Sequence, residues 1–140
     1  MNLEEAKALF EKEGYTLLLF NDKETVFSRK RGVRPLLELL GNDYSSYIAL
    51  DKVIGKGAAF LYLYLGIKTI YVNVISKSAL DVLKEGEVKV YYSSLVNRIL
   101  RHDKNGYCPI EEAVYKCENK EEALPLIINR LKSLKEDEKK

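Results

Sequence analysis

The sequence predicts an α/β fold, a three-layer sandwich with a mixed β-sheet between helices, and three observations carry that reading. From "SYIALD" onward, short runs rich in β-branched residues alternate with longer runs of helical spacing. That alternation is the pattern of crossover connections between parallel strands. Before it, "YTLLLF" and "ETVFSR" flank the polar turn Asn21-Asp22-Lys23, a hairpin-length connection between antiparallel neighbours. Punctuating residues (Gly14, Pro35, Gly41, Gly86 and Pro109) stand where the pattern changes.

In chain order, Asn2 suits the cap of a first helix with Glu4 and Glu5 in its first turn. Leu3, Ala6, Leu9 and Phe10 form its apolar face, and Gly14 ends it. After the hairpin, "RPLLELLG" reads as a helix with Pro35 near its start and Gly41 beyond its end. "SYIALD" is a strand, and "KVIGKGAAFLYLYLG" a helix apolar on nearly every side, hence central and buried. "KTIYVNVIS" is a strand, "KSALDVLKEG" a helix closed by Gly86, and "EVKVYYS" another strand. "SLVNRILRHD" reads as a short helix or irregular segment, followed by closing helices over "PIEEAVYKC" and "EEALPLIINRLKSL". Pro125 makes the last one start near Leu124 or bend there.

The 140 residues suit a single domain over residues 1–134 with a frayed, charged tail over 135–140. A hydrophobic content of 46% supports a real core, and the formal charge of +2 gives no general attraction to nucleic acid or anionic membrane. The N-terminus lacks a secretory signal, and no run of about 18 apolar residues exists to span a bilayer. The expected location is the cytoplasm, with both cysteines reduced. The absence of Gln, a single Met and the abundance of Lys and Glu lean toward a thermophilic source.

Ligands of open α/β sheets bind beyond the carboxyl ends of parallel strands, at helix N-termini. Three such junctions are legible. At the first, Asp51 suits a helix cap, Lys52 and Lys56 are cationic, and Gly55 and Gly57 let a ligand or another backbone approach closely. The phosphate-loop pattern lacks its first Gly and its hydroxyl here, so an anion-facing site and a merely capped buried helix both fit. At the second, Ser76 caps a helix and Lys77 presents an ammonium. The third holds Arg98 and Cys108; Pro109 at the first helical position makes Cys108 the cap. There a helix dipole would favour a reactive thiolate that Glu111 and Glu112 oppose. Cys117 lies nine residues on, about 13 Å along the same helix, and cannot share a metal with Cys108 there.

One His and two Cys provide no zinc spacing, although His102 and Cys108 could meet. No metal or other cofactor is expected. The cations Arg29, Lys30, Arg31 and Arg34 could grip phosphates or simply be solvated. The ten tyrosines do not interleave with them as a platform for nucleic acid would require, and suit packing and self-association as a homo-oligomer.

The blocks "GVRPLLELL", "ALDKVIGKGAAFLYLYLGIK", "VISKSALDVL" and "NGYCPIEEAV" together resemble a family of small uncharacterised prokaryotic proteins classed with the cytidine deaminase-like fold. The resemblance runs from Tyr15 to Val114, with "DKVIGKGAA" and "CPIEEAV" its most specific parts. It implies a cytidine deaminase-like architecture and no particular activity. Zinc deaminases carry His-x-Glu on one crossover helix and Pro-Cys-x-x-Cys on the next. The corresponding places fall at Asp51 to Lys56 and at Ser76 to Ala79, where Asp, Lys and Ser stand instead of ligands. The expectation is a deaminase-like domain without zinc. Its cleft takes a small anionic or nucleotide-like ligand on Asp51, Lys52, Lys56, Ser76, Lys77 and Arg98, with Cys108 as a candidate catalytic thiol. The alternative is a non-enzymatic structural or protein-interaction module.

Overall fold

The structure, a computed structural model, describes residues 1–100 and 106–138. Helix α1 (Leu3–Glu13) is capped by Asn2, whose side chain accepts the Glu5 N–H at 2.8 Å, and ends at Gly14 in the left-handed region. Strands β1 (Leu17–Phe20) and β2 (Thr25–Ser28) form the hairpin. Asn21 Oδ1 accepts the N–H groups of both Lys23 and Glu24 at 2.9 Å, which closes the turn. Then come α2 (Arg34–Leu39), β3 (Ile48–Ile54), α3 (Lys56–Leu65), β4 (Thr69–Ser76), α4 (Lys77–Glu85), β5 (Lys89–Val96), α5 (Pro109–Ala113) and α6 (Lys120–Glu138).

The five strands form one sheet in the order β2-β1-β3-β4-β5. β1 is antiparallel to both neighbours, while β3, β4 and β5 run parallel, joined by the crossover helices α3 and α4. Alternation along β1 divides two cores. Leu18 and Phe20 face α1 with Leu50, Ala6 and Phe10. Leu17 and Leu19 face the other way, into the larger core of Ala49, Ile70, Phe60, Tyr62, Leu83 and Ile127. The segment expected to be central is so: Ala58 to Tyr62 are all buried in α3, and α2, α4, α5 and α6 lie against it. Among the described residues no helix is long and apolar enough to cross a membrane.

Four boundaries differ from the sequence expectation. β3 continues to Ile54, because Val53 and Ile54 pair with Val74 and Ile75. Asp51 therefore lies mid-strand and is not the cap of α3; Gly55 holds that position without a side-chain bond. β5 absorbs Ser94 to Val96 by pairing with Val74 to Ser76, and the end of the run expected to be helical or irregular, 101–103, lies outside the described residues. α5 stops at Ala113, with Val114 already off helical geometry at φ −108° and ψ 9°. α6 starts before Leu124, because Asn119 caps it by accepting the Glu122 N–H at 2.8 Å, and it runs on through Pro125. Residues 139–140 of the charged tail also lie outside the described residues.

The parallel ladder is interrupted in line. Pairing connects Asp51 to Val72 and Val53 to Val74, then Val72 to Tyr92 and Val74 to Ser94, leaving out Lys52, Asn73 and Ser93. Ala49 and Ile54 both enter the larger core although they stand five positions apart, as do Ile70 and Ile75. Strict alternation would put them on opposite faces, so the interruption turns β3 and β4 over.

Candidate functional site

Beyond the interruption, β3 and β4 deliver the N-termini of α3 and α4 to one end of the sheet. The residue that joins them comes from α5. Glu111 is 1% exposed, and its Oε2 accepts the Lys56 backbone N–H at 2.9 Å and the Ser76 hydroxyl at 2.8 Å. Its Oε1 accepts the Ile99 N–H at 3.0 Å. A buried carboxyl is costly unless donors surround it, and here three do. The first N–H groups of a helix lack partners within it, and Gly55 offers no side chain to supply one. Glu111 does so from 55 residues away in the sequence. Ser76 is fully buried, and its Oγ also accepts the Ala79 N–H at 3.3 Å, capping α4.

The glycines are shaped to this contact. A Cβ on Gly55 would lie 2.7 Å from Glu111 Oε2, and one on Gly57 would lie 2.7 Å from Ile110 Cγ2. The close approach anticipated at "GKG" is thus made by side chains of the chain itself. The Lys56 ammonium continues the docking by donating to the Tyr115 carbonyl at 2.7 Å.

Outside this plug, formed by Glu111 and its three donors, lies a second cluster. The Arg98 guanidinium carbon lies 4.0 Å from the ring centroid of Tyr107 and 4.6 Å from that of Tyr115. One of its terminal nitrogens is 3.5 Å from Glu112 Oε1, and its buried Nε has no partner among the described residues. An open cleft of about 310 Å³ is lined by Arg98, Glu112, Ala113, Tyr115 and Lys116.

The anticipated residues therefore separate. Lys56 and Ser76 meet on Glu111, and Arg98 reaches the outer side of the same helix through Glu112. Cys108 is half-buried at the start of α5, where its N–H donates to the Ile99 carbonyl at 2.9 Å. That helix has five residues, so few peptide dipoles add up behind the thiol. Lys52 and Lys77 point into solvent. Asp51 lies apart, accepting the Tyr62 hydroxyl at 2.5 Å beneath α3. Burial pushes its carboxyl up to about 7, although the Tyr62 bond pulls the other way. Cys117 is buried, and its thiol is pushed up by that burial and by Glu122. Among the described residues no three His, Cys, Asp or Glu side chains are placed to hold a metal ion; His102 lies outside them.

Sequence reading overlooked Glu111 as a structural ligand. The signal was its spacing: Glu111 and Val114 stand three apart, so the carboxylate shares a flank with an apolar residue that is fully buried.

Residues 5–131 match the family described as a domain of unknown function, DUF1893. Among solved structures, the chain is similar to the crystal structure of a DUF1893 family protein (TM1506) from Thermotoga maritima. The two are 28% identical with a TM-score of 0.83, over 91% of this chain and 88% of the other. No curated protein matches the sequence.

Proposed function

Because this chain belongs to the DUF1893 family, a domain of unknown function, we propose a function drawn from its own geometry: binding of a small anionic or nucleotide-like ligand in the cleft beside Arg98. The observation that carries the reading is the guanidinium held against two tyrosine rings. Contact with two rings holds the guanidinium in place, and its N–H donors suit the fork of a phosphate or carboxylate. Glu112, exposed and 3.5 Å away, occupies one donor loosely enough for a ligand oxygen to replace it. Lys116 adds charge to the wall, and the exposed faces of Tyr107 and Tyr115 offer a surface for a base. The cleft volume is at the small end of ligand pockets.

The deaminase-like classification fits the crossover helices that follow β3 and β4. The two places where a zinc deaminase would carry ligands are bridged by Glu111, which bonds Lys56 on one side and Ser76 on the other. The chain's own carboxylate takes the position that would otherwise receive an anion at α3. The ligand reading moves from the helix N-termini to the outer surface of α5. Asp51, Lys52 and Lys77 take no direct part in it, and Cys108 remains a candidate thiol at the start of α5.

The test is a thermal-shift series with inorganic phosphate and nucleoside monophosphates. Stabilisation by a bound ligand grows as RT ln(1 + [L]/Kd), about 2.7 kcal/mol at a hundred times Kd. A rise in Tm for the wild type, abolished in Arg98→Ala, is the expected result. If no phosphate compound raises Tm, the ligand reading fails. Thiol titration decides Cys108: reaction below pH 7 supports a nucleophile, and an ordinary thiol near pKa 8.5 removes it.

A further inference from the structure

The two edges of the sheet are unlike. β2 has four residues and runs directly into Arg29, Lys30 and Arg31. β5 has eight, pairs with β4 alone among the described residues, and has one charged residue, Lys89, at its start. Among the described residues no strand lies beside its outer side, which presents a row of backbone donors and acceptors. Native sheets guard such edges with charges, prolines, bulges or short length. From Val90 to Val96 there is no charge and no proline. Tyr91, Tyr92 and Leu95 are instead 51%, 45% and 39% exposed. Tyr91 is also held in place, its ring stacked on Tyr71 at 4.7 Å and 13°.

We propose that β5 pairs with β5 of a second copy of this chain, antiparallel about a two-fold axis, so that two five-stranded sheets become one. A free backbone ladder takes another strand as its partner, and the choice of strand follows from charge and symmetry. The opposite edge, β2, is half as long and ends in three cations. Pairing β5 with β2 would be head-to-tail, leaving an edge open at each addition. Pairing β5 with itself closes after two copies. The antiparallel sense separates the two Lys89 residues by about 23 Å, the length of the strand, whereas a parallel sense sets them side by side. An edge of this length, with side chains above and below, buries on the order of 900 Å² in total. That lies at the low end of specific interfaces, so the dimer forms and dissociates with concentration.

Sedimentation velocity over a concentration series tests the pairing, together with hydrogen exchange of the β5 amides at the two ends of the series. The wild type is expected to pass from monomer to dimer as concentration rises, with slower exchange along β5. The double variant Tyr92→Lys/Leu95→Lys sets like charges on the edge and should associate on the order of tenfold more weakly or worse, while keeping its melting curve. Both positions are exposed, so folding should survive; if it does not, exchange in the wild type decides. A wild type that stays monomeric throughout overturns the proposal. So does a dimer whose β5 amides exchange as fast as in dilute solution.

Discussion

Glu111 shows how one residue can change the meaning of a motif. Read alone, a glycine-flanked lysine at a strand-to-helix junction invites an external anion. With Glu111 in place, the invitation is answered from within the chain. Replacing it by Ala leaves the Lys56 and Ile99 N–H groups and the Ser76 hydroxyl without their acceptor. At 1–3 kcal/mol for an unsatisfied buried donor, the expected loss is about 3 kcal/mol or more, read from urea unfolding. Glu111→Gln keeps the shape but turns one acceptor into a donor, so a smaller loss of roughly 1–3 kcal/mol is expected. Added acetate should recover part of the stability of the Ala variant and none of the Gln variant's. A Gln variant as stable as the wild type would mean that shape, rather than hydrogen bonding, holds the plug. The residue types of the site were legible in the sequence; their grouping was not. Lys56, Ser76 and Arg98 were identified as neighbours of one sheet end, but the acceptor tying two of them together lies far along the chain.

At the scale of elements, α5 is a short helix that relies on a prepared seat. Gly57 gives that seat its depth: a methyl there would press on Ile110 Cγ2 at 2.7 Å and meet Ile127 Cδ1 at 3.6 Å. Gly57→Ala would gain helix propensity, at most about 1 kcal/mol, against an overpacking cost of about 1–3 kcal/mol. A net loss of about 1 kcal/mol is expected. Adding Ile110→Ala should then cost less than it does in the wild-type background, because the clash is relieved; strictly additive losses would remove the seat argument. Element identity was readable wherever a cap or a turn announced it, as at Asn2, Asn21, Pro35 and Gly86. Boundaries were missed where apolar residues run continuously. Val53 and Ile54 precede a helix without charge from Gly57 onward, and periodicity does not separate a buried strand from a buried helix there. The start of α6 had a readable signal in Asn119 and Glu122, spaced as a capping pair. The proline at 125 drew attention away from it.

For the molecule as a whole, stability should depend on pH through Asp51. Its carboxyl has a folded-state value of about 7 against an ordinary 3.8. Below about pH 4 both the folded and unfolded chains hold that proton. Between about 4 and 7 only the folded chain does, so stability contributed by the protonated group is lost as pH rises through that window. Denaturant titrations should show this loss in the wild type and a flatter profile in Asp51→Asn, which retains an acceptor for Tyr62. An unchanged slope in the variant would assign the pH dependence elsewhere. The overall architecture was legible because strands and crossover helices alternate strongly enough to set a mixed sheet. The interruption at Lys52, Asn73 and Ser93 was not, since three isolated residues 20 or so apart carry no local mark of acting together. They amount to a crease ruled across three adjacent strands: one continuous sheet by its hydrogen bonds, with the side chains of β3 and β4 turned over beyond it. Removing a residue on one strand's crease would invert that strand alone, sending Ile54 or Ile75 outward beneath the plug. Lengthening or shortening these strands is therefore tolerable only when all three change in step.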